Sequence, residues 1–341
     1  MSALSIVIIG RNEGERLTRC LQSVALAHGV GDRAQLIYVD SASSDESPEA
    51  AGNFGAQVIV LHGGFQTAAR ARNAGWKKAS APYILFLDGD TILNPHFIQT
   101  ALKVLESDDS IAAVWGHRRE LYPERSIYNR VLDLDWIYPA GNTDFCGGDV
   151  LMRRSVLVEV EGYDSDLPAG EEPELCRRLR ARSYRIVHID APMTRHDLNM
   201  TRFSQYWRRA MRAGYAYAEV SNRFVGTADP MWSEESRRNL RSGGFWIAWL
   251  VVSLILLALR SPWILPWFAL LIALPARSAW KARSRARGQK SLLLLYGIHS
   301  QLQQIPILVG QLRYFRDRHS GKQRTQIQYK EEANIPTVLS R

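Results

Sequence analysis

Over roughly the first 225 residues, short apolar runs alternate with stretches whose apolar residues recur on one side of a helix. Leu17, Cys20, Leu21 and Val24 show the helical spacing i, i+3, i+4 and i+7. Strands that alternate with helices predict an open, mostly parallel sheet covered by helices, which is an α/β fold. The predicted strands are 5–9, 36–39, 58–61, 83–87, 111–115 and 185–189, and the further predicted helices are 68–78, 95–105, 174–182 and 203–220.

Residues 116–148 show neither the apolar runs of strands nor the apolar spacing of a helix. They include several aromatic side chains, among them Trp136 and Tyr138. We expect this stretch to be an insertion that faces the substrate.

The pattern changes after residue 225. Residues 226–244 are polar and predict a linker, and residues 245–259 are apolar except for Ser253. A helix over this apolar run would be ~22 Å long, less than the ~30 Å hydrocarbon core of a bilayer. Two interpretations remain for 245–275: one continuous helix that is kinked at Pro262 and Pro266 and spans, or a hairpin or re-entrant segment. Polar side chains and a proline interrupt the last apolar segment, 291–316, which favours an amphipathic helix in the membrane interface.

The net charge of +9 is unevenly distributed along the chain. Residues 1–240 carry 28 basic and 31 acidic side chains, whereas residues 241–341 carry 15 basic and 3 acidic ones. Basic residues flank the apolar block on both sides and continue into a basic tail, 317–341. The flanking residues are Arg237, Arg238 and Arg241 before the block, and Arg277, Lys281, Arg283, Arg285, Arg287 and Lys290 in a juxtamembrane segment, 276–290.

Positive charge on both flanks favours two cytoplasmic ends. We therefore expect the chain to be anchored on the cytoplasmic face of the inner or plasma membrane, against its anionic leaflet, and to bind no nucleic acid. A helical hairpin buried in a soluble core is the alternative, but the tryptophans of this region favour a membrane interface.

Asp88-Gly89-Asp90 follows the buried-strand run 84–87. Ligands of open α/β sheets bind at the carboxyl ends of strands, and Asp40 lies at the end of another predicted strand. Carboxylate oxygens are the ligands that Mg²⁺ and similar hard cations prefer. Asp88 and Asp90 are therefore candidate ligands of a divalent cation that would bridge a nucleotide diphosphate.

Glu171 and Glu172 precede Pro173, which suits the first position of a helix. The helix dipole favours an ionised carboxylate at Glu172. A positioned carboxylate of this kind can take a proton from a hydroxyl nucleophile. The alternative is that the two acids only stabilise the start of the helix.

Taken in order, several segments resemble the family 2 glycosyltransferases over about residues 4–200. The resemblance implies the GT-A fold, a Rossmann-like mixed sheet, here followed by C-terminal membrane-associated helices. It also implies that Asn12, Glu13 and Arg72 bind the donor, that Asp40 contacts the nucleotide base, and that His196 is a third metal ligand; a histidine on the surface is the alternative. The segments are 5–13, 39–45, 71–75, 88–90, 147–154, 162–164 and 171–179.

The chain departs from the family pattern at three places. Ile9-Gly10-Arg11 replaces the apolar or Pro-Thr residues that usually lead into the Asn-Glu pair. Glu172 stands where the family usually has Asp, so either Glu172 or Glu171 is the candidate catalytic base. The sequence from Gln205 to Arg209 is similar to the Gln-x-x-Arg-Trp motif of the processive members but lacks its final Trp. Arg208 and Arg212 lie one helical turn apart, where they either pair with phosphate oxygens or form a solvated basic face.

The resemblance implies an inverting glycosyltransferase whose catalytic domain covers residues 1–225. It would depend on Mg²⁺ or Mn²⁺ and move a sugar from a nucleotide-diphosphate donor to a hydroxyl of a lipid-linked or glycan acceptor. Such a reaction belongs to glycolipid or cell-surface polysaccharide synthesis. Transfer to a polyprenyl phosphate, or a nucleotide-binding membrane module without catalysis, are the alternatives.

Overall fold

The computed structural model describes residues 4–28, 34–285 and 290–321. They form two compact units, which are described separately. The first contains the described residues up to Leu121 together with Trp136–Leu198, and the second contains Tyr122–Asp135 and the described residues from Asn199 onward. Arg287 and most of the predicted basic tail, 317–341, lie outside the described residues.

The described part of the first unit is built on a nine-stranded mixed sheet with the order β3-β2-β1-β4-β8-β6-β9-β5, and β7 pairs with β9. Strands β3, β2, β1 and β4 are parallel, as are β6 and β9, whereas β8 is antiparallel to both β4 and β6. The predicted α/β fold is confirmed, although short antiparallel strands make the sheet less parallel than the apolar runs indicate. The strands are β1 (Leu4–Gly10), β2 (Gln35–Asp40), β3 (Gln57–Val60), β4 (Tyr83–Asp88), β5 (Thr91–Leu93), β6 (Ile111–Glu120), β7 (Gly141–Thr143), β8 (Val150–Arg153) and β9 (Arg185–His196).

Helices cover this sheet through the apolar faces that the sequence predicts. Leu17, Cys20, Leu21 and Val24 are all buried on one side of the first helix. The middle of β1 is fully buried, as expected for a parallel strand covered on both faces. The helices are α1 (Glu15–Ala25), α2 (Ser47–Asn53), α3 (Ala68–Trp76), α4 (Phe97–Glu106), α6 (Arg154–Glu159) and α7 (Glu171–Ala181); α5 (Ile127–Leu132) belongs to the second unit.

The described part of the second unit is otherwise helical. The predicted linker, 226–244, is wrong beyond Trp232, because one continuous helix runs from Ser233 through the polar stretch into the apolar block. The predicted interfacial segment, 291–316, is divided into two helices at Gln303. The helices are α8 (Phe203–Arg223), α9 (Ser233–Ala258), α10 (Ile264–Phe268), α11 (Leu270–Lys281), α12 (Lys290–Leu302) and α13 (Gln304–His319).

The chain reverses direction after α9. Trp267 on α10 donates a hydrogen bond from its indole nitrogen to the hydroxyl of Ser253 on α9 at 3.0 Å. The indole rings of Trp249 and Trp267 stack with 6.4 Å between their centroids. These contacts agree with the hairpin interpretation and not with a continuous kinked helix.

Glycines let helices of the second unit approach closely. A Cβ added to Gly310 on α13 would collide with the carbonyl oxygen of Met211 on α8, and one added to Gly214 would collide with that of Ile307. Gly243 on α9 packs in the same way against Leu308 of α13, where a Cβ would lie 2.5 Å from the leucine Cβ. Close backbone approach at small residues is typical of helices that pack inside a membrane.

Within the described residues, two helical segments, Ser233–Ala258 and Lys290–His319, are long and apolar enough to cross a membrane. They contain 18-residue stretches with mean hydropathies of 1.8 and 1.3, respectively. Less than a third of each apolar stretch is buried inside the protein. Leu254 and Leu257 on α9 and Leu312 on α13 are among the exposed apolar side chains.

Candidate active site

Three parallel strands, β2, β1 and β4, end side by side at one edge of the sheet. Gly10 at the end of β1 pairs with Asp40 at the end of β2, and Ile9 pairs with Asp88 at the end of β4. The carboxyl ends of neighbouring parallel strands meet at one edge, so the predicted residues that follow these strands are brought together.

Asn12 and Asp40 shape the loops that follow β1 and β2. Oδ1 of Asn12, which has a left-handed φ of 52°, accepts a hydrogen bond from the backbone N–H of Ser44 at 2.7 Å. Asp40 is fully buried, and its carboxylate accepts hydrogen bonds from the Ser43 N–H at 2.7 Å and the Tyr38 hydroxyl at 3.1 Å. The contact of Asp40 with a nucleotide base, which the resemblance implies, stays a prediction.

Glu13 is also buried and forms an ion pair with Arg16 at 2.8 Å. The glycine of the Asp-Gly-Asp sequence fits tightly beside it. A Cβ added to Gly89 would lie 3.3 Å from Cγ of Glu13 and 3.2 Å from the carbonyl oxygen of Ile9. Glu13 therefore packs against the turn that carries the two aspartates.

Asp88, Asp90 and His196 lie together, and their potential ligand atoms are all within 4.8 Å of one another. His196 joins the aspartates because β5 pairs with β9 and places Thr91 opposite His196. Nε2 of His196 lies 3.2 Å from Oδ2 of Asp90, and both side chains are buried. The alternative of a surface histidine is wrong. Two carboxylates and an imidazole fit a divalent cation such as Mn²⁺ or Mg²⁺.

Asp88, Asp90 and His196 are called the cation cluster below, and Glu171 and Glu172 the acidic pair. Arg72 on α3 connects the two. Its Nη2 donates to Oδ1 of Asp88 at 2.9 Å, and its Nη1 lies 3.0 Å from a carboxylate oxygen of Glu171 and of Glu172. Only 2% of the side chain is exposed. A Cβ on Gly148 would collide with Nη2 of Arg72, so the glycine makes room for the ion pair.

Opposite charges decide the ionisation of Asp88. Burial alone would raise the pKa of its carboxyl group, but the guanidinium groups of Arg72 and Arg118 outweigh burial and hold the pKa below its usual value. Asp88 is therefore negative at neutral pH, as a cation ligand must be.

Glu171 and Glu172 occupy the first turn of α7, which starts after Gly170 in a left-handed conformation with a φ of 86°. Pro173 is consequently the third helical residue and not the first. Burial and the neighbouring Glu171 raise the pKa of Glu172 to about 7, although Arg72 and the helix backbone oppose the rise. The expected stabilisation of the ionised form by the helix terminus is thus outweighed, and near neutral pH Glu172 both accepts and releases a proton readily.

Residues 5–160 match the model of the glycosyl transferase family 2. Over this stretch the chain is similar to the family 2 glycosyltransferases. Glycosyltransferase AglE of Haloferax volcanii is 26% identical over 226 residues, which cover 64% of this chain and 73% of AglE. Pre-mycofactocin glycosyltransferase of Mycobacterium tuberculosis is 23% identical over 262 residues, which cover 74% of this chain and 53% of that enzyme. The chain thus spans about half the length of the mycobacterial relative.

The fold of the sheet-containing unit is the GT-A fold. The structure of mannosyltransferase PcManGT from Pyrobaculum calidifontis, in complex with GDP-Man and Mn²⁺, is similar with a TM-score of 0.59. The two chains are 19% identical, and the match covers 92% of this chain and 87% of the other.

Two side chains of the candidate site are absent from the residues that the sequence indicates. Arg118 on β6 lies 3.4 Å from Asp88 and 3.7 Å from Asp149. Asp149 accepts hydrogen bonds from the backbone N–H of Asp88 at 3.0 Å and from the hydroxyl of Thr194 at 2.7 Å. Burial raises the pKa of Asp149 to about 6, although Arg118 opposes the rise. The position of Asp149 directly after Gly147-Gly148 is the one sequence signal that could have indicated it.

Arg208 and Arg212 lie in the second unit, on α8. Both side chains are half-buried, and they are one helical turn apart as expected. A contact with the phosphates of a donor or acceptor stays a prediction.

Proposed function

We propose that the protein is a membrane-associated, inverting glycosyltransferase that depends on a divalent cation. It moves a sugar from a nucleotide-diphosphate donor to a hydroxyl group of a lipid-linked or glycan acceptor. One observation carries the proposal: Arg72 brings Asp88 of the cation cluster and the acidic pair Glu171–Glu172 within 3.0 Å of a single guanidinium group. The cation ligands that stabilise the leaving diphosphate and the base that accepts the proton of the acceptor would then lie on either side of the same anomeric carbon.

The residues of the site would have separate roles in the reaction. Asp88, Asp90 and His196 would hold the cation, which when bound neutralises charge on the departing diphosphate. Asn12, Glu13 and Asp40 shape the loops at which the donor would bind. Glu172 accepts the proton of the acceptor hydroxyl while its oxygen forms a bond to the anomeric carbon. The bond from that carbon to the diphosphate oxygen breaks on the opposite face, so the configuration inverts.

A proton acceptor at this place supports a hydroxyl acceptor over a phosphate. A polyprenyl phosphate is already ionised and needs no base. Glu172, with a pKa near neutrality and one-fifth of its side chain exposed, supplies a base that a hydroxyl requires. Glu171 is less exposed, at 7%, which supports Glu172 as the base of the pair.

The apolar helices and their basic flanks support a membrane location. Exposed leucines on α9 and α13 would lie in lipid, and the described basic residues between Arg277 and Arg285 would face anionic headgroups on the cytoplasmic side. A hairpin formed by α9 and α10–α11 would keep both of its ends on that side. An acceptor attached to a lipid would then be held close to the catalytic domain.

The test is a transfer assay with full-length protein in lipid vesicles. Guanosine- and uridine-diphosphate sugars are supplied with lipid-linked acceptors, with and without Mn²⁺, and NMR determines the anomeric configuration of the product. We expect transfer with inversion, loss of transfer without cation, and a decrease of about 10²- to 10⁴-fold in kcat for Glu172→Gln.

Three outcomes would contradict parts of this proposal. Survival of Glu172→Gln together with loss of activity in Glu171→Gln would move the base to Glu171. Survival of both variants would exclude the base mechanism. Transfer to a polyprenyl phosphate but to no hydroxyl would show that the acceptor class is wrong.

A further inference from the structure

Trp136 lies over the cation cluster. The centroids of its ring and of the His196 ring are 5.2 Å apart, with the rings edge to face. The guanidinium carbon of Arg118 lies 5.0 Å from the centre of the indole ring. His196 belongs to the cluster itself and Arg118 contacts Asp88, so the indole covers one side of the candidate cation site.

The preceding residue, Asp135, is bound to a different part of the chain. The hydroxyl of Tyr296 on α12 donates a hydrogen bond to Oδ1 of Asp135 at 2.9 Å, and Nε2 of His299 on the same helix lies 3.4 Å from Oδ2. Arg285 donates to the Tyr296 hydroxyl at 3.0 Å. Burial would raise the pKa of Asp135, but His299 and Tyr296 outweigh it and lower the pKa, so the carboxylate is ionised and firmly bound.

These two residues share one short 3₁₀ turn, Asp133–Trp136, and the boundary between the two units falls at the peptide bond that joins them. Consecutive Cα atoms are about 3.8 Å apart, so neither residue can shift by several ångströms without moving the other. Asp135 is held by α12, which belongs to a segment long and apolar enough to cross a membrane. Trp136 contacts His196 of the cation cluster.

We propose that Trp136 excludes water from the candidate cation site and that Asp135, through its contacts with α12, positions Trp136. A shift of α12 when a lipid or a lipid-linked acceptor binds would thereby change the cover over the cation cluster. The inference rests on the proposed function for its consequence, which is that transfer to an acceptor is favoured over hydrolysis of the donor. The geometry that it requires is independent of any activity.

The first measurement is therefore made without turnover. Full-length protein in detergent micelles is labelled with 5-fluorotryptophan, and Trp136→Phe identifies the ¹⁹F resonance of Trp136. We expect Mn²⁺ alone, which is paramagnetic, to broaden that resonance strongly. We expect Asp135→Asn to shift it, whereas Glu124→Gln, which changes an exposed acid in the same segment, leaves it unchanged.

The second measurement compares donor hydrolysis with transfer. We expect Trp136→Phe and Asp135→Asn each to raise the ratio of hydrolysis to transfer by roughly tenfold or more, because small displacements of a covering residue admit water. A merely structural role of either residue would lower both rates in equal proportion and leave the ratio unchanged.

The outcomes separate the two proposals. A Trp136 resonance that stays sharp in Mn²⁺ would show that Trp136 does not cover the cation site. A resonance that does not move in Asp135→Asn would refute the positioning role, whatever the activity. If the wild-type protein turns over no nucleotide sugar, the proposed function fails and the fluorine measurement still decides this inference.

Discussion

Replacement of Glu172 by glutamine tests the electrostatic description of the acidic pair. Glutamine keeps the shape of the protonated side chain and cannot ionise. The fold raises the pKa of Glu172 from 4.5 to about 7, chiefly through burial and Glu171. The native state therefore binds this proton more tightly than the unfolded chain does, and ionisation of Glu172 opposes folding.

The size of the effect follows from the two pKa values. At about 1.4 kcal/mol for each pH unit between them, ionised Glu172 destabilises the fold by about 3 kcal/mol above pH ~7. This destabilisation grows as the pH rises from ~4.5 to ~7 and is absent in more acidic solution. For 341 residues at about 2.1 cal/mol/K each, 3 kcal/mol corresponds to about 4 °C in Tm.

The assay is a thermal scan of the full-length protein in detergent, without added cation, at pH 5 and pH 8. We expect Glu172→Gln to raise Tm by about 4 °C at pH 8 and by about 1 °C at pH 5. Glu49→Gln, an exposed substitution on α2, is the control and leaves Tm unchanged at both pH values. A decrease in Tm of the same size at both pH values would refute the reasoning, because it would show that the ion pair with Arg72 outweighs burial.

Four other substitutions or conditions have defined outcomes. Arg72→Met is expected to destabilise the protein by about 3–5 kcal/mol in denaturant titrations, because it removes the guanidinium group that three carboxylates share. An effect under about 1 kcal/mol would show that these ion pairs contribute little to stability. Asp90→Asn is expected to weaken Mn²⁺ binding, measured by electron paramagnetic resonance, by at least roughly tenfold; unchanged affinity would place the ion elsewhere. Gly243→Ala is expected to lower stability by about 1–3 kcal/mol, since its Cβ would meet α13, whereas Gly244→Ala, with open space beside it, is expected to be neutral or to stabilise by up to about 1 kcal/mol; equal effects would show that α9 and α13 do not pack as described. Replacement of the four basic residues in 277–285 by glutamine is expected to weaken binding to anionic vesicles by about 1 kcal/mol per charge in flotation assays, with little change on neutral vesicles; equal loss on both would exclude an electrostatic contribution.

The strand ends could be predicted because the signal is local. Each of β1, β2 and β4 is a short apolar run, and Asp88 and Asp90 follow the last of them directly. A strand that is buried on both faces of a parallel sheet consists of a nearly continuous apolar run, which is visible in the sequence. The positions of Asp88 and Asp90 therefore follow from the hydrophobic pattern, whereas His196 was indicated only by the family resemblance.

The contacts of His196 and Arg72 could not be predicted from the pattern. His196 reaches Asp90 only through the antiparallel register that pairs Thr91 with His196, and the three-residue strand β5 is too short to show any periodicity. Arg72 is one of two arginines in α3, and its sequence position does not show that it contacts three carboxylates. Long-range pairing, which the local pattern does not contain, decides both.

The start of α9 could not be predicted from the sequence for a different reason. Ser236, Asn239 and Gly243 recur at helical spacing and are buried, but they are small or polar. A helix that packs through small residues has no apolar stripe at that face, so its sequence resembles a linker. The same property hides the close packing of α13 on α8.

The charge of the site has a consequence for the order in which ligands bind. The carboxyl groups around Arg72 and Arg118 outnumber these two cations, so without a metal the site repels a bare diphosphate. We therefore expect the donor to enter as its metal complex or after the metal, which gives an ordered kinetic mechanism in which free donor is a poor competitor. We expect the product nucleotide to be released slowly while the metal stays bound, because the metal offsets the repulsion by the carboxyl groups. The carboxyl groups concerned are Asp88, Asp90, Asp149, Glu171 and Glu172.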